Sequence, residues 1–366
     1  MKPTIAEQAA REAVVKEVQQ VVHDTLPGHT LELFGSQRTG LAVATSDIDL
    51  RLCPPACVRD DSDAEKAPRM TMRKNLVRTL QHKLLPKLQN DPNFILCVFR
   101  YARYPLISLQ HKGSGLDIQI VLANDTALAR EHVKRYLTEI PSLGAVYTLV
   151  RTMLEVRRLS DVFAGGLGSY SIFMMIVASL KHDARLRPDD AARSLLSFLD
   201  FYSKLDTYKV AVSVDPPTFF NKTLSAFGKA KPSQRHASDF SVAASDVQPS
   251  VDDVVCRVSH SSDLKSNGIT QVLQGQDQMS IIDRMQPYLL CLQDPADAFN
   301  DLGRKGYAIK HIQRTIKALH EDLATYMYRN KSGSVIAPLV GSSYTMFAGR
   351  RSKIEGYGRT CARAAA

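Results

Sequence analysis

The 366-residue sequence predicts an α+β fold, with a small mixed or antiparallel sheet in the first third and a mainly helical remainder. Three observations predict it. Short apolar runs of strand length, at 31–34, 48–52, 94–101, 106–111 and 116–122, cluster in that first third. From about Glu131 the apolar residues recur every three or four positions instead, most clearly over 143–159, 169–182, 189–202 and 306–328. The chain is also too long for one ordinary core and suits two packed units.

Each element follows from local pattern. Ile5, Ala9, Val14, Val18, Val21 and Val22 recur at helical spacing over 4–24, and Pro27-Gly28 ends that helix. The N-terminal stretch 1–24 is expected to pack on the helical unit. Gly35 breaks the first strand, and the acidic stretch 59–69 reads as a loop. A helix is expected over 71–85, with Leu76, Leu80, Leu84 and Leu85 on one face. Gly113-Ser114-Gly115 is a turn between two strands. The sheet unit is thus expected over 25–130 and the helical unit over 131–221 and 279–345. Between the latter two, 222–278 is rich in Ser, Asp, Gln and Lys without periodicity and is expected to be a disordered insertion. Residues 346–366 are expected to form a basic, weakly ordered tail. No internal repeat is visible.

Composition narrows the function classes. A net charge of +10 and a pI near 9.3 suit a polyanionic partner such as nucleic acid, or simply a basic soluble protein. No apolar run of eighteen residues occurs, which predicts no membrane span. Residues 1–11 lack an apolar core and carry Glu7, which argues against a secretory signal. The six cysteines, at 53, 57, 97, 256, 291 and 361, form neither a disulfide framework nor a zinc signature. A reducing, intracellular compartment fits that pattern.

The chemistry-bearing stretch is Leu33-Phe34-Gly35-Ser36, ten further residues, then Asp47-Ile48-Asp49-Leu50. On a strand, positions i and i+2 share a face, so Asp47 and Asp49 project together while Ile48 and Leu50 enter a core. Adjacent carboxylates repel unless a cation sits between them, and hard oxygen donors select Mg²⁺ or Mn²⁺. Such a pair suits two-metal phosphoryl transfer. A lone D-h-D also reads as a solvated turn, but two features oppose that. Gly35 lets the backbone approach a triphosphate, with the Ser36 hydroxyl as a donor. Asp117, in Leu116-Asp117-Ile118-Gln119-Ile120, is a third acid between apolar strand residues, costly to bury without a partner. Asp125 lies nearby in a loop-like context and is a poorer candidate.

This pattern, F-G-S-x10-D-I-D-L followed by L-D-I-x-I, resembles the DNA polymerase β-like nucleotidyltransferases. The resemblance implies that Asp47 and Asp49 bind both metals and that Asp117 completes the site and accepts the proton of an RNA 3′-hydroxyl. It also implies that Gly35 and Ser36 hold the triphosphate.

Two later motifs narrow the resemblance. Phe163-Ala164-Gly165-Gly166-Leu167-Gly168-Ser169-Tyr170-Ser171 is a Gly-rich turn entering a helix. Ser169 is placed to cap that helix and to bind phosphate, and Tyr170 to stack on a base. The bland reading is a plain turn and a core tyrosine. The stretch resembles the G-G-h-[GS]-S-Y-S segment of noncanonical poly(A) polymerases. Gln293-Asp294-Pro295 and Asn300-Asp301-Leu302-Gly303-Arg304 resemble their D-P…N-D-h-G-R nucleotide-recognition loop, in the nuclear RNA-surveillance type that includes the TRAMP poly(A) polymerase. Uridylate-adding relatives often carry histidine at the position of Asn300, and Asn can pair with an adenine edge. The resemblance therefore implies ATP as donor, with Asn300 and Arg304 in the nucleotide site. Where the family has a triphosphate-binding lysine, this chain aligns Arg151, which keeps the charge and changes the geometry.

The expected function is template-independent addition of nucleotides, adenylates foremost, to an RNA 3′ end in RNA processing or surveillance in the nucleus, or alternatively the cytoplasm. The other readings are a terminal uridylyltransferase and a catalytically weak RNA-binding scaffold of the same fold. No RNA-recognition motif or zinc knuckle is visible in the sequence. RNA binding is therefore expected to be electrostatic and nearly sequence-blind, with a zinc-knuckle or helicase partner supplying affinity.

Overall fold

Alternation along the strands sets the architecture of the first third. β1 (Thr30–Leu33), β2 (Ile48–Cys53), β3 (Phe94–Arg100), β4 (Leu106–His111) and β5 (Asp117–Val121) form one sheet in the order β1-β2-β5-β4-β3. β2 and β5 run parallel, with Asp49 opposite Gln119, and the other pairings are antiparallel. Successive side chains point to opposite faces. Ile48, Leu50, Ile107, Leu109, Ile118 and Ile120 therefore enter a core, and Asp49, Gln110, Asp117 and Gln119 line the opposite face. The structure is a computed structural model that describes residues 3–53, 74–75, 77–101, 105–122, 127–222, 285–329, 336–341 and 344–365. The loop expected at 59–69, Asp125, and residues 223–278 of the expected insertion lie outside these residues, whereas Lys222, expected within that insertion, is corrected to an ordered, buried residue at the end of the second sheet. The helix expected to end at Leu85 continues through a π-helical turn, Thr79–Leu84, into α3 (Leu85–Asn90).

α1 (Ile5–Thr25) opens with a reciprocal cap. The Thr4 N–H donates to Glu7 Oε2 at 2.7 Å, and the Glu7 N–H to Thr4 Oγ1 at 3.3 Å. Its stripe of Ala10, Val14, Val18 and Val22 packs under the sheet, beside Leu80, Leu84 and Leu88. The expectation that 1–24 packs on the helical unit is corrected here: the stripe matches the apolar back of the sheet. The expectation of a weakly ordered tail is corrected too. Residues Tyr344–Ala365 form a 22-residue helix, here α10, that lies along α1. Phe347 and Ile354 are buried, Tyr357 donates to Glu17 at 2.8 Å, and Arg351 forks onto the buried Glu7 at 2.8 and 2.9 Å. A Cβ on Gly358 would run into the Ala6 carbonyl, so the helices cross backbone against backbone.

The second core is helical. α4 (Ala127–Glu139), α5 (Leu143–Glu155), α6 (Ser169–Lys181), α7 (Ala191–Lys204), α8 (Ile309–Tyr328) and the short α9 (Ala337–Val340) surround it. Ile172 through Leu180 are all buried, which makes α6 the central helix. Ile309, Ile312, Ile316, Leu319 and Leu323 form the expected stripe on α8. A second sheet, β7-β6-β8-β9, is built from β6 (Val210–Ser213), β7 (Thr218–Asn221), β8 (Leu292–Asp294) and β9 (Asp297–Asp301). These strands are too short for alternation to show in sequence, and β6 pairs with β8 across the whole 214–291 interval. Among the described residues no helix is long and apolar enough to cross a membrane.

Lys222 ties this sheet together. Its buried ammonium donates to the carbonyls of Thr207, Pro287 and Leu289 at 2.8, 2.7 and 2.8 Å. Lys222→Met strips all three carbonyls of their donor, and a loss of roughly 2–4 kcal/mol of stability is expected. Urea unfolding measures it, and an unchanged midpoint would refute this role.

Candidate active site

The site begins with a close approach. The Phe34 N–H donates to the Asp49 carbonyl at 2.9 Å, which lays the end of β1 on β2. The next residue, Gly35, opens the short helix α2 (Gly35–Thr39) with φ +58°. A Cβ there would overlap the Asp49 carboxylate, so only glycine fits. Ser36 is buried beside it, and its carbonyl accepts from the Leu41 and Ala42 N–H groups.

The loop leading to Asp47 is held from below. Arg11 of α1 is buried, and its guanidinium donates to the carbonyls of Val43 and Ala44 at 3.4 and 3.0 Å and to that of Ser46. Asp47 Oδ2 accepts from Gln119 Nε2 at 2.9 Å. Asp117 accepts from Gln110 Nε2 on Oδ1 at 2.8 Å and from Arg350 Nη2 of α10 on Oδ2 at 2.5 Å.

Electrostatics follow from this crowding. Burial and then the Asp47 charge push the Asp49 carboxyl up to about 7, against the pull of Arg11 and Arg151. Burial and then the Asp117 charge raise Asp47, while Gln119, Arg350 and Arg151 oppose the rise. Burial lowers Arg11 to about 10, and Asp47, Glu7 and Asp49 hold it from falling further. Asp47 thus feels both other acids. Even so, among the described residues no three acidic, histidine or cysteine side chains close into a metal cage. Asp117 is turned toward Arg350 and Gln110. The donors are all carboxylate oxygens, and a hard dication between Asp47 and Asp49 would relieve the repulsion that raises Asp49, so the residues fit such an ion.

The helical unit supplies the other wall. Arg151 of α5 sends its charge to Asp47 and Asp49, and its Nε and Nη1 are buried without a hydrogen-bond partner. Its Nη2 lies 3.7 Å from Glu155, and Glu155 accepts from Thr45 at 2.9 Å, joining α5 to the Asp47 loop. Ser169, expected as the cap of α6, is its first helical residue instead. Gly168 takes the N-cap place in an extended conformation and, having no side chain, offers no capping bond. Ser169 and Arg151 both engage the Tyr147 hydroxyl.

Tyr170 donates to Asp294 Oδ1 at 2.9 Å, and Asn300 Nδ2 donates to Asp294 Oδ2 at 2.9 Å. The buried Asp294 thereby couples the two residues expected at the base. Arg304 is exposed in the turn after β9, close enough for its charge to act on Asp301.

Sequence reasoning missed Arg11, Gln110, Gln119 and Arg350, and placed Asp294 in a motif without giving it a role. Two left a signal. Gln119 stands two residues from Asp117 on one strand, hence on the same face. Phe347, Ile354 and Cys361 stand seven apart in the supposed tail, the spacing of a helical stripe beside Arg350.

Residues 1–137 match the family model described as the central palm domain of mitochondrial-like poly(A) RNA polymerase. The chain is 25% identical over 334 residues to Poly(A) RNA polymerase cid14 of Schizosaccharomyces pombe, across 89% of this chain and 39% of that protein. It therefore spans well under half the length of that relative. The solved polymerase core of TRAMP, an RNA surveillance complex, superposes with a TM-score of 0.64 at 20% identity, covering 93% of this chain and 88% of that one. The Cid1 poly(U) polymerase with MgGTP bound superposes with a TM-score of 0.55 at 16% identity, covering 93% and 94%. The fold is that of these polymerase cores, and the resemblance read from the motifs holds.

The Asp49 value has a sign that can be tested. Its folded pKa of about 7 exceeds its ordinary 3.8, so the stability it contributes is full below 3.8 and lost as pH rises through 7. In chelator, Asp49→Asn is expected to raise Tm at pH 8, with the gain shrinking as pH falls toward 4. Thermal melts across that range check this; a gain independent of pH would contradict it.

Proposed function

We propose that this chain transfers nucleotides, with ATP the preferred donor, to the 3′-hydroxyl of RNA without a template. The observation that carries the proposal is the Asp47–Asp49 pair packed against Gly35, with Asp117 on the neighbouring strand and the unpartnered nitrogens of Arg151 buried beside them. Mg²⁺ or Mn²⁺, held by Asp47, Asp49 and Asp117, would supply positive charge to the reacting phosphoryl oxygens. The protein's own groups do the rest. Asp117 takes the proton of the RNA 3′-hydroxyl as its oxygen bonds to the α-phosphorus, and pyrophosphate leaves. Gly35 and Ser36 hold the triphosphate, and Arg151 meets its charge with a fixed guanidinium. Tyr170, oriented by Asp294, offers its ring to the base, and Asn300 reads the base edge.

The net charge of +10 supports an RNA substrate. The likeness to the core of an RNA surveillance complex supports a role in RNA processing or surveillance. We propose the nucleus as the compartment, and a zinc-knuckle or helicase partner as the source of added RNA affinity, because the sequence itself carries no RNA-recognition motif or zinc knuckle. A uridylate-adding activity is the second reading, supported by the likeness to a poly(U) polymerase.

Extension of a short RNA with each nucleoside triphosphate tests the proposal. Asp47→Asn, Asp49→Asn and Asp117→Asn are each expected to lower extension by more than about 100-fold while the protein stays folded, since an amide cannot neutralise a dication. A variant that extends normally removes its residue from the metal site.

On the same primer, ATP is expected to be used faster than UTP, and Asn300→His to shift the preference toward UTP. A wild-type protein that favours UTP would overturn the adenylate reading.

A further inference from the structure

Arg350 belongs to none of the sequence motifs, yet it touches the third carboxylate of the site. It sits on α10, with Nη2 at 2.5 Å from Asp117 Oδ2, while Gln110 Nε2 of β4 lies 2.8 Å from Asp117 Oδ1. Two unrelated elements thus grip the two oxygens of one carboxylate. The place of Arg350 is set by packing as well as by charge. Its neighbour Arg351 forks onto the buried Glu7 of α1, and Phe347 and Ile354, about one helical turn to either side, are buried. The same α1 carries Arg11, which holds the loop before Asp47. The Arg350–Asp117 pair is part-exposed, at 36% and 40%, and such pairs add little stability. Its consequence lies in the orientation of Asp117, because a guanidinium anchored on a packed helix limits how that carboxylate can turn.

We propose that Arg350 is a positioning residue for the transfer reaction, one that orients the Asp117 carboxylate toward the RNA 3′-hydroxyl. The last helix is then part of the reaction centre. This inference rests on the function proposed above, and the test separates the two.

The test compares Arg350→Gln and Arg350→Lys with Arg359→Gln in the full chain. Arg359 lies on the same helix, is 63% exposed and pairs with Glu355 at 3.1 Å, so its loss controls for charge. The measurements are kcat, KM for ATP and RNA, Mn²⁺ binding by electron paramagnetic resonance, and Tm. Arg350→Gln is expected to lower kcat about 10- to 100-fold, with KM for ATP and Mn²⁺ affinity within about twofold of wild type. Arg350→Lys is expected to fall between, because an ammonium keeps the charge and loses the planar geometry. Arg359→Gln is expected to match wild type.

Unchanged kcat with lower Tm would make Arg350 a helix staple. Unchanged or higher kcat with tighter Mn²⁺ binding would make it a competing cation. A fall in kcat shared by Arg359→Gln would reduce it to bulk charge. Each of these overturns the inference. If Arg350→Gln does not fold, Arg350→Lys decides by the same split. An active Asp117→Asn would sink the role given to Asp117, whereas an inactive Asp117→Asn beside a fully active Arg350→Gln would sink this inference alone.

Discussion

Two carboxylates side by side at the start of one strand, both half-buried, repel each other, and much of the surrounding structure answers that repulsion. Burial and the Asp47 charge drive Asp49 to about 7. Arg11 reaches in from α1, Gln119 from β5 and Arg151 from α5, each opposing the rise on one or both acids. Gly35 leaves the space that the Asp49 carboxylate occupies. A site that keeps such a pair retains a local instability, which is the pattern of a group held ready for a cation rather than for stability.

The helices at the two ends of the chain serve this centre together. α1 and α10 cross at Gly358, are joined by Glu7 and Arg351, and share one core with the back of the sheet. Each sends one arginine forward, Arg11 to the loop before Asp47 and Arg350 to Asp117. The sheet presents the acids, and the paired helices limit how those acids can move. Asp294 plays a comparable part in the helical unit, where one buried carboxylate binds both Tyr170 and Asn300. Tyr170 is there held by a partner 124 positions away in sequence.

The α+β division, the five strands of the first sheet and the main helices were legible in the sequence because each rests on a local period of two or of three to four residues. The faces of Asp47, Asp49 and Asp117 were legible for the same reason: alternation along a strand decides which way a side chain points. Gly35 could be recognised from its place after an apolar strand. The cap of α6 was misplaced by one residue, from Ser169 to Gly168, because a Gly-rich turn offers several equivalent starts.

Tertiary structure alone decided the rest. The strands of the second sheet are three to five residues long, too short for a local period to announce them, and its two hairpins are joined through β6 and β8, which lie far apart in the chain. The packing of α1 under the sheet was decided there, and the ordering of residues 344–365 as α10 and the arrival of Arg350 at Asp117 depend on contacts across more than 230 positions of sequence. A loose basic tail and a helix that carries an arginine to Asp117 have the same composition. What separates them is whether Phe347 and Ile354 find an apolar surface to cover, and that surface exists only once the sheet and α1 have packed.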